Sequence, residues 1–123
     1  MSAPLHSVLI YARNPQRSAE FYRDHFGLAI IQDSEGLIVL ESPQGGVQIV
    51  IHPAAKGVKL GQVAVKLVFS VQDVDAFKTR SAARGLKFGT THQANGYAFA
   101  NAKDPDKNNI CVSSRAFRTA GPQ

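Results

Sequence analysis

The chain lacks several features that would take it out of the ordinary globular class. It has one cysteine, Cys111, in 123 residues, so no intrachain disulfide framework can form. No apolar run approaches the roughly 18 residues that a membrane-spanning helix needs. The opening MSAPLHSVLIYARN has no basic segment leading into a long apolar stretch, so no signal peptide is expected. Taken together, these absences predict a soluble cytoplasmic protein with no membrane partner. Charge of one sign is not concentrated either. The formal net charge is +5, but Lys and Arg are scattered through Arg13, Arg17, Arg23, Lys56, Lys59, Lys78, Arg80, Arg84, Lys103 and Lys107. Only Arg115-Ala-Phe-Arg118 is locally basic. With no basic run interleaved with aromatics, nucleic acid is not expected as a partner.

What is present is enough apolar sequence for a core, 44% of residues, arranged as a repeat. His6 to Ala12 is apolar and rich in β-branched and aromatic types, which predicts a strand. Asn14 is a good helix N-cap and Pro15 suits the first helical position. Ala19, Phe21 and Tyr22 then fall at helical spacing up to His25, and Gly27 ends the helix. Three short strands are predicted next, at Leu28–Gln32, Leu37–Glu41 and Val47–His52. Turn sequences at 34–36 and 43–46 separate them.

The second half repeats this order. A strand at Val63–Val71 is followed by Asp73 as cap and a helix from Val74 to about Arg84, closed by Gly85. Strands are predicted at Leu86–Thr90, Tyr97–Ala102 and Asn109–Ser113, with turns at Asn95-Gly96 and 104–107. Superposing Asn14 on Asp73 gives an offset of 59, and the closing glycines differ by 58. This predicts a duplicated βαβββ unit. A half-chain of roughly 60 residues buries only about 60% of its surface, so neither copy is expected to be robust alone.

The order of motifs resembles the vicinal oxygen chelate superfamily, which includes glyoxalase I, extradiol dioxygenases and the fosfomycin- and bleomycin-resistance proteins. The first module carries the likeness in the strand ending at Asn14 and in Phe21-Tyr22-Arg23-Asp24-His25-Phe26-Gly27-Leu28, which is similar to the family's FY-x-x-x-LG-hydrophobic pattern. The second carries it in Phe69-Ser70-Val71-Gln72-Asp73-Val74-Asp75-Ala76 and in Asp104-Pro105-Asp106. The resemblance spans about residues 5 to 115. It implies an α+β fold of two tandem βαβββ modules, about 5–53 and 62–115, forming one domain with a cupped mixed sheet and a tail at 116–123. It also implies a homodimer and a ligand site in the concavity.

Metalloenzymes of that family place one ligand on the first and one on the last strand of each module. Counting seven residues back from each helix cap puts Ser7 and Lys66 at the first-strand positions. Counting along the last strands gives Gln48 and Cys111. Serine hydroxyl and amide are weak neutral donors, and a protonated lysine repels a cation, so no metal and no other cofactor is expected. His6 neighbours Ser7 but alternation points it to the opposite face; a one-residue slip in register would bring it inside. His52 shares the parity of Gln48 and Val50 and reaches the rim, His25 is on the first helix, and His92 is expected in a loop.

Alternation assigns the remaining residues. Val8, Ile10 and Ala12 suit the face under the helix, leaving Ser7, Leu9 and Tyr11 for the cup. In the second module Val63, Val65, Leu67, Phe69 and Val71 go under the helix, leaving Ala64, Lys66, Val68 and Ser70. Lys66, enclosed by apolar walls, either binds a carboxylate or phosphate of a ligand, pairs with a carboxylate such as Glu41 or snorkels to solvent, or acts as an amine base. Cys111 shares parity with Asn109 and Ser113 and is either a packed small hydrophobe or a thiol favoured as thiolate by a nearby ammonium. Tyr97 and Phe99 offer an aromatic wall or core packing.

The candidate ligand-binding residues are therefore Ser7, Leu9, Tyr11, Gln48, Val50, Lys66, Val68, Tyr97, Phe99, Cys111 and Ser113. The expected function is metal-free binding of a small anionic or polar-aromatic molecule. The alternatives are a metal-dependent lyase, transferase or dioxygenase, metal-free catalysis through Lys66 or Cys111, and a purely structural dimer. Bleomycin is cationic and does not suit a basic chain.

Overall fold

A computed structural model describes residues 2, 4–34 and 36–118. The chain is α+β and divides into two compact units, Met1–Leu60 and Gly61–Gln123. Unit one contains β1 (Ser7–Ala12), α1 (Pro15–Phe26), β2 (Ala29–Ser34), β3 (Leu37–Glu41) and β4 (Gln48–Pro53). Unit two contains β5 (Lys66–Ser70), α2 (Val74–Ala83), β6 (His92–Gln93), β7 (Ala98–Lys103) and β8 (Asn109–Ser113), followed by a 3₁₀ turn at Arg115–Phe117. The two sheets have the same topology, β1-β4-β3-β2 and β5-β8-β7-β6. In each, the first strand pairs in parallel with the last, and the other pairings are antiparallel. This is one βαβββ unit built twice. Among the described residues no helix is long and apolar enough to cross a membrane.

The local causes are those the sequence carries. Asn14 is extended and its side chain accepts from the Arg17 N–H at 3.1 Å, with Pro15 opening the helix behind it. Asp73 does the same for α2, accepting from the Ala76 N–H at 3.0 Å. Such caps satisfy backbone donors that a helix start leaves without partners. Gly27 ends α1 in the left-handed region, φ 70°, and its N–H donates to the Arg23 carbonyl at 3.0 Å. Only a residue without Cβ takes that conformation at little cost.

Alternation then divides each sheet into two faces. In unit one Ala12, Leu40 and Ile51 are fully buried, with Ile38 and Ile49 beside them, under the Ala19 and Tyr22 face of α1. In unit two Ala100, Ile110 and Val112 are fully buried. Unit two departs from the expected element bounds in two places. The strand expected at Val63–Val71 is paired only from Lys66, because its partner β8 begins at Asn109. Val63 and Val65 are accordingly 61% and 56% exposed. The apolar run Leu86–Thr90 forms no ladder. Its Leu86 N–H instead donates back to Ser81 at the end of α2, and the edge strand beside β7 is His92–Gln93. His92, expected in a loop, is thus on a strand. Of the tail, residues 119–123 lie outside the described residues.

Candidate functional site

The helix-free face of each sheet is built from rungs, pairs of opposed residues on neighbouring strands. On unit one Ser7 is opposite Gln48, Leu9 opposite Val50, and Tyr11 opposite His52. Leu9 and Tyr11 are 46% and 50% exposed. The Tyr11 and His52 rings meet edge to face, with centroids 5.6 Å apart. Gln48 is not left seeking a partner: its Nε2 donates to Glu41 Oε1 at 3.2 Å. Glu41, one of the carboxylates expected for Lys66, is thus engaged within its own sheet. His6 precedes β1 and is exposed, and its carbonyl accepts from the Gln48 N–H. His25 is on α1 against Phe21, with ring centroids 4.9 Å apart.

On unit two the rungs are Lys66 opposite Asn109, Val68 opposite Cys111, and Ser70 opposite Ser113. Across the next pairing, Asn109 is opposite Lys103, Cys111 opposite Asn101, and Ser113 opposite Phe99. Counting from Asp104 gives Cys111 as the last-strand position of the second module; the residue paired with Lys66 is Asn109, because Asp104–Asn108 forms a closed turn and β8 starts immediately after it. Lys66 is not enclosed by apolar walls as expected. It is exposed, and its rung neighbours are polar. Its ammonium lies 5.8 Å from the centroid of the Phe99 ring. Phe99 is two strands away and two rungs along, so the lysine reaches diagonally across β8.

Cys111 lies in that path and is 3% exposed. Burial pushes its thiol up from the ordinary value, while the charge of Lys66 and a backbone hydrogen bond at Ala100 act more weakly in the other direction. The thiol, not the thiolate, is therefore the favoured form, because desolvation outweighs the ammonium. Ser113 is also buried and accepts at Oγ from the Arg115 N–H at 3.1 Å. Tyr97 immediately precedes β7, and its ring lies 6.3 Å from that of Phe99. His92 lies on the other side, 5.1 Å from Phe99.

Sequence reasoning missed two members of this group. His92 became part of it when β6 moved. Asn101 shares the parity of Tyr97 and Phe99, a signal that was legible. Its Oδ1 is buried without a hydrogen-bond partner among the described residues. A buried acceptor of that kind carries a desolvation cost that a donor from a bound molecule or water removes.

The residues at the family's metal-ligand positions do not fit a divalent cation. By register they are Ser7, Gln48, Lys66 and Asn109, with Cys111 one rung further on. Asn109 Oδ1 already accepts from the Lys103 ammonium, and Lys66 brings a like charge. Among the described residues no three His, Cys, Asp or Glu side chains come together as a ligand set.

The fold is shared with solved structures. A lactoylglutathione lyase from Agrobacterium tumefaciens aligns at 20% identity and TM-score 0.72, covering 92% of this chain and 94% of its own. An antibiotic binding protein from Streptomyces sp. CB03234, TnmS3, aligns at 20% identity and TM-score 0.73, covering 91% and 97%. A superfamily member from Sphaerobacter thermophilus aligns at 18% identity and TM-score 0.76, again covering 91% and 97%. At such identities the likeness speaks for the fold alone. None of the curated proteins matches the sequence. The model of the Glyoxalase/Bleomycin resistance protein/Dioxygenase superfamily matches residues 5–112. That match runs through both βαβββ units, and the chain belongs to this superfamily.

Proposed function

We propose that this chain binds a small polar-aromatic or anionic molecule on the helix-free face of unit two and does so without a divalent cation. The observation that carries the reading is the donor set at the family's ligand positions, where a lysine and neutral amides stand in place of acidic and imidazole ligands. Such a set repels a cation and attracts an anion. Phe99 and Tyr97 supply ring faces, Lys66 a positive charge, and Asn101 Oδ1 an acceptor in need of a donor. Ring faces beside a few placed polar groups are how small-molecule sites fix a ligand's orientation. That one structural neighbour is named an antibiotic binding protein agrees with a binding role.

The test is elemental analysis of protein purified without chelators, joined to a thermal-shift screen against aromatic acids, phenols and antibiotics. The expected result is no stoichiometric Zn, Ni, Mn or Fe and a ligand-dependent rise in Tm that is lost in Lys66→Gln. Stoichiometric metal would favour a metal-dependent lyase, transferase or dioxygenase instead. The reading extends to a cytoplasmic homodimer, and light scattering on the purified protein checks the dimer.

A further inference from the structure

The basic segment Arg115-Ala-Phe-Arg118 is not used by the reading above, and the structure gives it a defined place. Arg115 opens the 3₁₀ turn Arg115–Phe117, and Arg118 follows as its cap. The turn is fastened to the sheet. The Ser114 N–H donates to the Ala98 carbonyl at 3.0 Å, the Ala98 N–H donates to Ser114 Oγ at 3.0 Å, and the Arg115 N–H donates to Ser113 Oγ. It also packs against β5, the strand that carries Lys66. The Arg118 N–H donates to the Arg115 carbonyl at 3.3 Å, which closes the turn and keeps the two arginines close together. Both converge on Tyr97, with guanidinium carbons 5.9 Å and 5.5 Å from its ring centroid.

Two like charges directed at one ring repel each other, and among the described residues no carboxylate pairs with either. An oxyanion placed between them turns that repulsion into attraction, and guanidinium forks match the geometry of carboxylate and phosphate. We propose that Arg115 and Arg118 form an oxyanion subsite at the Tyr97 end of the unit-two face, and that its ligand is an aromatic ring bearing a carboxylate or phosphate group. The ring lies on the Tyr97–Phe99 wall and the anion is held by the arginine pair. This deepens the proposed function and rests on it for the ring's position.

The test is a titration of the full-length ¹⁵N-labelled protein with phenyl phosphate, benzoate and, as a neutral control, benzyl alcohol. At least one anion is expected to shift the amides of Tyr97, Arg115 and Arg118. Its affinity is expected to fall about tenfold or more in Arg115→Gln/Arg118→Gln, with less loss in Arg115→Lys/Arg118→Lys, which keeps charge but not the fork. Added salt weakens the anion and leaves the alcohol unaffected. Both arginines are exposed, so the variants are expected to retain the native Tm. The two anions distinguish a carboxylate from a phosphate ligand. No binding of either anion, or unchanged affinity in the glutamine double variant, overturns the proposal. If the anions shift Lys66, Phe99 and Asn101 but not the turn, the subsite fails and the proposed function stands. If only the turn responds and Lys66→Gln has no effect, the subsite stands and the proposed face fails.

Discussion

Burial raises the Cys111 thiol above its ordinary value of 9.0 more than Lys66 and the Ala100 backbone lower it. This has a consequence for stability. When a thiol's folded value lies above its unfolded one, its contribution is complete below the unfolded value and is lost as pH rises through the folded value. Above about pH 9 the unfolded chain gives up the proton while the folded chain keeps it. Urea midpoints of the native chain are therefore expected to fall more steeply than those of Cys111→Ala between about pH 8 and about pH 10. A difference between the two that does not change with pH would sink the argument. Parity in the sequence was enough to put Cys111 on the same side as Asn109 and Ser113. It could not say how deeply the thiol is covered, because that depends on packing from neighbouring strands. For the same reason Asn101 went unnoticed: sequence shows which way a side chain points but not whether its oxygen finds a donor.

The turn between β7 and β8 is organised around one carboxylate. Asp104, 5% exposed, accepts from the Asp106 N–H at 2.9 Å, the Asn108 N–H at 2.8 Å and Asn108 Nδ2 at 2.9 Å. The Asp104 N–H donates to the Asn108 carbonyl, which closes the loop so that β8 can begin at Asn109. Asp104→Ala leaves several donors without their acceptor and is expected to cost about 2 kcal/mol, with Asp104→Asn costing less. Urea unfolding reads this as a lower midpoint at unchanged m. An alanine variant as stable as the native chain would remove the turn from any structural role. The Asp-Pro-Asp motif and both helix caps were legible because their partners lie within a few residues along the chain. The Leu86–Thr90 run alternates as a strand does, yet its Gly89 N–H makes a single bond to β7, at the Asn101 carbonyl, and the ladder on that edge is formed by His92–Gln93. The valines at 63 and 65 were likewise given a strand that β8 is too short to pair.

Across the whole molecule the duplication is the most legible feature, since both copies keep the same strand order and the same parallel pairing of first with last strand. Each unit is about 60 residues, a size at which burial is marginal. Segments 1–60 and 61–123, made separately, are expected to lack a cooperative thermal transition at the temperature where the full chain melts. Calorimetry decides this, and a segment melting at the full-chain Tm would mark that unit as self-sufficient. The candidate site was legible only as a set of directions. The arginine turn escaped notice as part of it because its relation to Tyr97 is fixed by hydrogen bonds of Ser113 and Ser114, which no periodicity announces.

The rungs carry one more implication, for redesign of this chain. Ser7 and Gln48 share a rung, and so do Lys66 and Asn109. A metal ligand introduced at one position would still face an amide, a hydroxyl or an ammonium across the ladder. No single substitution produces a cation site from these pairs. Building a cation site here would require coordinated changes on both strands of a rung.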